Sequence, residues 1–280
     1  MSVDTIANMV YGRRMDLTIK GIDYNWEEMP LQHQTYTVVD VETTGVSESD
    51  AVVEFAMVRF DRGRVRERFS ALVDPGVAIP ATASAVHLLR DAHVAGRPTL
   101  ADYTDDIVEF TSPWPIVAHN AEFDRGFLPM IAHLPHICTL RLARHLLPDA
   151  PSYKNSVLRY LLKLDDAYDL SYAMIPHRAE ADAIVTGYLL QKLLSMMHNR
   201  TWTLQGVAQI AASRINVTHF GFGKYRGRLI AEIAKCDRGY LEWIVNQALS
   251  SKEGRFEVDS DTLDAVMLEL GRPLFSATAA

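Results

Sequence analysis

Between residues 35 and 74 the chain carries three successive runs of strand-like pattern. TYTVVDV (35–41) is rich in β-branched and aromatic residues, and AVVEFAMVRFD (51–61) and RVRERFSALVD (64–74) follow with partial alternation of apolar and polar positions. DRG between the last two is a hairpin signal, so the three runs predict a largely antiparallel meander. The spacing then becomes helical over 84–90 and 101–110. WPIVAH (114–119) predicts a short buried strand, and NAEFDRGFLPMIAHL after it has helical spacing. Thr139 can cap LRLARHLL, which Pro148 closes; YKNSVLRYLLKL predicts another helix, and residues 178–197 a long amphipathic one. Antiparallel strands followed by strand–helix alternation predict one mixed α/β sheet with helices on its faces.

After residue 200 the texture changes. TLQGVAQIAAS predicts a short helix. HFGFGKYRGRLIAEI, punctuated by Gly221, Gly223 and Gly227, predicts a β-hairpin unit, and DRGYLEWIVNQAL its helix, with Tyr240 and Trp243 in its core. The pattern divides the chain into an N-terminal extension (1–34), a main domain (35–197), a small α+β module (198–255) and a tail (256–280), the first and last with weak patterns.

Composition changes this picture little. At 280 residues, 48% hydrophobic and 22% charged, the chain can bury a substantial core. Its formal net charge of −7 means that contact with a polyanion must come from a local basic patch. Cys138 and Cys236 form neither a disulfide framework nor a thiolate metal spacing, which suits a reducing cytoplasm. AIVTGYLLQKLLSMM is interrupted by Gln191 and Lys192 well short of membrane-spanning length, and no signal-peptide core opens the chain, so a cytoplasmic protein without membrane contact is expected.

Chemistry enters with the carboxylates. VVDVETTG puts Asp40 and Glu42 on one face of a strand, where two acids in a core would repel unless they reach solvent or a cation offsets them. VAHNAEFD ends a strand and starts a helix bearing Asp124, a position that the helix dipole alone would favour. PHRAEAD places His177 and Asp182 five positions apart at a helix opening, where a cap or a solvated pair is the bland reading. Taken together, four carboxylates can balance two divalent cations, and hard oxygen ligands select Mg²⁺ or Mn²⁺ over zinc. With His177 as the base that deprotonates water, the set has the parts for two-metal phosphodiester hydrolysis.

DVETTG, AHNAEFD and HRAEAD occur in the order and approximate spacing of the three exonuclease motifs of the DnaQ-like superfamily with a histidine in the third motif. The resemblance covers residues 35 to about 195. It implies a ribonuclease-H-like fold, two Mg²⁺ ions for which Mn²⁺ can substitute, and 3′-to-5′ exonuclease chemistry releasing nucleoside 5′-monophosphates. SAVHLLRDAHVAGRPT, HICTLRLARHLLP and FGFGKYRGRLIAEIAKCDRGYLEWIV resemble the exodeoxyribonuclease X branch, which implies DNA 3′ ends, single-stranded or frayed, as substrate and a place in DNA repair or degradation. The alternatives are an RNA-processing exoribonuclease or oligoribonuclease with the same five residues and a non-catalytic, polymerase-associated DNA-binding scaffold.

The family also implies that Thr43, Thr44, Gly45 and Val46 lie against the terminal nucleotide, and that His87 lies near substrate. His119 and Asn120 either touch substrate or orient the second motif. Lys224, Arg226 and Arg228, at alternate positions of a predicted strand, share one face and are candidate DNA-phosphate contacts; Tyr225 would point to the other face.

Overall fold

The β-branched run opening at Thr35 forms the central strand of a five-stranded sheet. The computed structural model describes residues 18–19, 22–23, 35–47, 49–171, 173, 175–197, 203–250 and 258–274. A two-residue ladder, β1 (Thr18–Ile19) with β2 (Ile22–Asp23), is all that is described of the N-terminal extension; the rest of 1–34 lies outside the described residues. The sheet comprises β3 (Thr35–Thr43), β4 (Val52–Asp61), β5 (Arg64–Leu72), β6 (Ile116–Ala118) and β7 (His136–Cys138), in the order β5-β4-β3-β6-β7. β4 runs antiparallel to both β3 and β5, as the meander predicts, whereas β6 and β7 run parallel to β3. This is the expected ribonuclease-H-like mixed sheet.

The two faces of β3 have different partners. Val39 and Val41 join Phe55, Met57, Ile107, Leu128 and Ile131 in one buried cluster, each such side chain contributing about 1.5–3 kcal/mol when fully buried. The other face lies under a long helix. Edge strand β5 turns Arg64, Arg66, Glu67 and Arg68 to solvent, which discourages pairing with another sheet.

The helices of the first part are α1 (Ala81–His87), α2 (Asp91–Val94), α3 (Thr104–Thr111), α4 (Ala121–Phe127), α5 (Thr139–Leu146), α6 (Asn155–Leu161), α7 (Leu164–Ala167) and α8 (Ala179–Met196). α4 stops near Pro129, which cannot continue a helix. The predicted helix from Tyr153 is split into α6 and α7, because Lys163 takes a left-handed backbone, φ 52°. α8 is the long helix expected but less amphipathic than its pattern suggests: Ala183, Ile184, Val185, Leu189, Leu190 and Leu193 are all buried, so apolar residues surround most of it. It lies so close to the sheet at Gly187 that a Cβ there would stand 2.2 Å from the Phe60 ring.

The chain divides into two compact units, residues 1–142 with 151–211, and residues 143–150 with 212–280. α9 (Leu204–Ala212) falls almost entirely in the first unit's span. The second unit holds α10 (Ile230–Cys236), α11 (Arg238–Ser250) and α12 (Ser260–Glu269). Two expectations change here. The glycine-punctuated stretch is a succession of turns with one bridge, His219 to Leu229, and not a hairpin of two strands, because Gly223 and Gly227 take left-handed φ of 70° and 79°. The tail also contains α12, capped by Asp259 and packed through Leu263 and Val266 against Phe220, Ile230 and Leu241.

Candidate active site

The site forms where the parallel strands β3 and β6 end and their following segments leave the sheet. In open α/β sheets this carboxyl-end crevice is where ligands bind. Strand parity puts Asp40 and Glu42 on the face under α8, opposite Ala56 and Glu54 of β4. A register shift after Glu42 ends the regular pairing. β6 stops at Ala118, and α4 carries Asp124 back toward β3, where the carboxylate accepts from the Val41 amide and is only 3% exposed. From the other face, α8 brings Asp182.

His177 completes the arrangement. It is exposed, sits in the left-handed region at φ 58°, and donates its backbone N–H to Asp182 Oδ2 at 2.7 Å. Ligand atoms of Glu42, His177 and Asp182 lie within 4.8 Å of one another. Asp40 and Asp124 stand outside that triangle but within electrostatic reach of the other acids. The five residues singled out in the three motifs are thus brought to one site.

Ionising these acids together is unfavourable. Burial, and then repulsion from Asp182 and Glu54, pushes Glu42 up to about 8, with Arg178 opposing. Burial raises Asp124 to about 8 against the pull of backbone amides, and burial followed by Asp124, Asp182 and Glu42 holds Asp40 well above the usual carboxylate range. Asp182 is also raised by burial, with the His177 amide and the Arg159 charge opposing. A cluster of this kind is costly without cations, and its all-oxygen donors fit hard divalent ions.

The turn after β3 is braced from within. Thr44 Oγ1 donates to Asp50 Oδ1 at 3.0 Å and accepts from the Ala51 amide at 3.0 Å; Thr43 Oγ1 donates to the Gly45 carbonyl. A Cβ on Gly45 would meet the Asp50 carboxylate at 2.5 Å. Both threonines are buried, and Val46 protrudes, 83% exposed. His87 is buried, with Nδ1 accepting from the Leu89 amide at 3.0 Å. Burial lowers its pKa and the Thr43 carbonyl partly restores it, so it stands behind the turn. His119 is likewise a brace: its ring nitrogens meet Thr139 Oγ1 at 2.9 Å and the Tyr153 carbonyl at 2.7 Å, and burial pulls its pKa down to about 4. Asn120 is exposed at the start of α4 with φ 75°.

Sequence reasoning missed three supporting residues. Glu54, an acid among the apolar residues that open β4, is 5% exposed and paired with Arg178 of the third motif. Asn155 Nδ2 donates to the Asp182 carbonyl at 3.2 Å and to Thr186 Oγ1 at 3.0 Å. Arg159, 6% exposed, is forked onto Asp165 and adds positive charge near Asp182. A buried charge within an apolar run was the available signal.

The exonuclease family model matches residues 37–190. The chain belongs to that exonuclease family. A second model, the exodeoxyribonuclease X-like C-terminal family, matches residues 220–248. Exodeoxyribonuclease 10 of Escherichia coli K12 is 35% identical over 209 residues, 75% of this chain and 90% of the relative. The PolC-type DNA polymerase III of Bacillus subtilis is 34% identical over 198 residues, 66% of this chain but 13% of the polymerase. A solved structure of exonuclease X in complex with 5′-overhanging duplex DNA aligns with a TM-score of 0.54 and 32% identity, covering 63% of this chain and 99% of that one.

In this exonuclease the basic residues of the second unit are not arranged as a strand face. Lys224 Nζ pairs with Asp237 Oδ2 at 2.8 Å and lies 4.7 Å from the Tyr225 ring centroid and 5.2 Å from that of Tyr240. Tyr225 therefore shares the Lys224 environment, because the turns bring neighbouring residues to one side. Arg228 pairs with Glu232 at 3.2 Å. Trp243 stacks on Tyr240 and is 44% exposed, not core. Among the described residues no helix is long and apolar enough to cross a membrane.

Proposed function

We propose that this exonuclease removes nucleotides from DNA 3′ ends, single-stranded or frayed, releasing nucleoside 5′-monophosphates with the help of two Mg²⁺ ions. The observation that carries the reading is the convergence of Asp40, Glu42, Asp124 and Asp182 with an exposed histidine, in a chain 35% identical to an exodeoxyribonuclease. The four acids would hold the cations, which supply Lewis acidity toward the phosphate and charge balance for its transition state. Mn²⁺, with similar ligand preferences, substitutes.

His177 takes a proton from the attacking water, and its exposure lets that proton pass to solvent. The hydroxyl takes the phosphorus, the P–O bond to the 3′ oxygen of the preceding nucleotide breaks, and that oxygen is protonated from solvent. Asp182 fixes the His177 backbone through its amide. Thr43, Thr44, Gly45 and Val46 seat the terminal nucleotide, with the threonine hydroxyls holding the turn and Val46 presenting an apolar edge. Asn120 faces the approaching strand; His87 and His119 act by bracing. Arg226, exposed and without an ion pair among the described residues, leads Lys224 and Arg228 in phosphate contact. Two free cysteines suit a reducing, cytoplasmic setting for DNA repair or degradation.

The test is product analysis on 5′-labelled single-stranded DNA and RNA of the same sequence with Mg²⁺. A ladder shortening from the 3′ end on DNA, abolished by chelator and by Asp40→Ala, is expected. Faster loss of RNA would make the enzyme an exoribonuclease, and binding without cleavage would make it a scaffold.

A further inference from the structure

Glu54 is a buried carboxylate that the reaction does not use. It stands across the ladder from Glu42, yet both of its oxygens are committed elsewhere. Oε1 accepts from Arg178 Nε at 3.2 Å and from Nη2 at 2.7 Å; Oε2 accepts from Nε at 3.0 Å and from the Ala179 amide at 3.1 Å. A carboxylate so occupied is a poor metal ligand and a good anchor.

What it anchors is the residue after His177. The His177 backbone lies in the left-handed region, which a side chain with a Cβ adopts only when its surroundings hold it there. Two contacts flank it. On one side its own amide is held by Asp182 Oδ2 at 2.7 Å; on the other, Arg178 is forked onto Glu54 of β4. Glu180, in the first turn of α8, is tied to β5 by Arg68 at 3.1 Å and by Ser70 at 2.7 Å, so the opening of α8 is fastened to two strands.

We propose that Glu54 and Arg178 are positioning residues that set the placement of His177, and so act on turnover through a side chain neither of them touches. This rests on the reading of His177 as the base. The pair gives the third motif its own attachment to the sheet, independent of the cations that Asp182 would share.

A double-mutant cycle on the full chain tests it. Glu54→Gln keeps the shape and one acceptor but removes the charge that holds the guanidinium. We expect kcat on single-stranded DNA to fall about 10- to 100-fold, the scale of a small misplacement of a reacting group. KM and the half-saturating Mg²⁺ concentration should stay within about twofold, since neither substrate nor cation loses a contact. In a His177→Asn background, Glu54→Gln should have no further effect.

Multiplying losses in the double variant, or a raised Mg²⁺ requirement in Glu54→Gln alone, would overturn the proposal and assign the pair to the acids instead. An unchanged kcat in Glu54→Gln would also overturn it. Arg178→Lys, which keeps the charge balanced and loses only the fork, carries the same cycle if Glu54→Gln folds poorly. His177→Asn at wild-type rate would be a separate result: it would remove the base assignment itself.

Discussion

Replacing Glu42 with glutamine should make the cation-free protein more stable while destroying its activity. The folded state raises Glu42 from 4.5 to about 8, mainly through burial and then through Asp182 and Glu54. A carboxyl raised on folding contributes its full share below its unfolded value, and that share is lost as pH climbs through the folded one. Between about pH 4.5 and 8 the folded chain therefore binds more protons than the unfolded chain, and stability falls with rising pH. At pH 7 the difference amounts to at most about 3 kcal/mol, because each pKa unit is worth 1.36 kcal/mol. Glutamine does not titrate, and its removal of one charge relieves Asp40 in the same direction. For a chain of this size, 3 kcal/mol corresponds to roughly 6–12 °C in Tm. Thermal melts in chelator at pH 5, 7 and 8 should show a gap between Glu42→Gln and wild type that widens with pH. Adding Mg²⁺ at pH 8 should raise the wild-type Tm and close the gap, since binding to the folded state alone is stabilising. A variant less stable than wild type in chelator at pH 8, or a gap independent of pH, would refute the reasoning.

His177→Asn should lower kcat by about 10² to 10⁴ with Tm and KM little changed, measured by single-turnover hydrolysis of labelled DNA. A loss of folding instead would point to the left-handed backbone as its main role. Gly187→Ala should cost about 1–3 kcal/mol in denaturant unfolding, because the new Cβ would meet the Phe60 ring at 2.2 Å; a neutral result would mean that α8 shifts freely over the sheet. Replacing Lys224, Arg226 and Arg228 together with alanine should lower the log–log salt slope of single-strand binding by up to about 2, at about 0.7 per lost contact. Retention of most of the slope would leave Lys224 and Arg228 to their acidic partners, Asp237 and Glu232.

The parts of the fold legible in the sequence were those with a long period. β3, β4 and β5 could be read because each runs for nine or ten residues, long enough for β-branched and aromatic positions to recur along it. β7, only three residues long, offers no period to count. In the second unit glycines were read as hairpin punctuation, but their left-handed φ values fold the chain through consecutive turns and gather Lys224, Tyr225 and Asp237 into one cluster. The five motif residues were legible because each sits in a short local pattern. The pairing of Glu54 with Arg178 was not, since it spans 124 positions: a charge within an apolar run marks Glu54, and the third motif contains Arg178, but nothing local joins them. The histidines divide on the same ground: sequence cannot tell that buried His87 and half-buried His119 are braces while His177 is exposed.

The ladder of β3 on β4 also governs how this strand can vary in length. A strand has two faces, so between Tyr36 and Glu42 the loss or gain of a single residue exchanges the acids with their valine neighbours, sending both carboxylates into the apolar cluster around Phe55. Changes of two residues preserve the parity; changes of one do not. The register shift after Glu42 releases the chain from that constraint. Differences in length among relatives should therefore collect in the turn beyond Thr43, where an odd insertion leaves every side chain of the strand where it was.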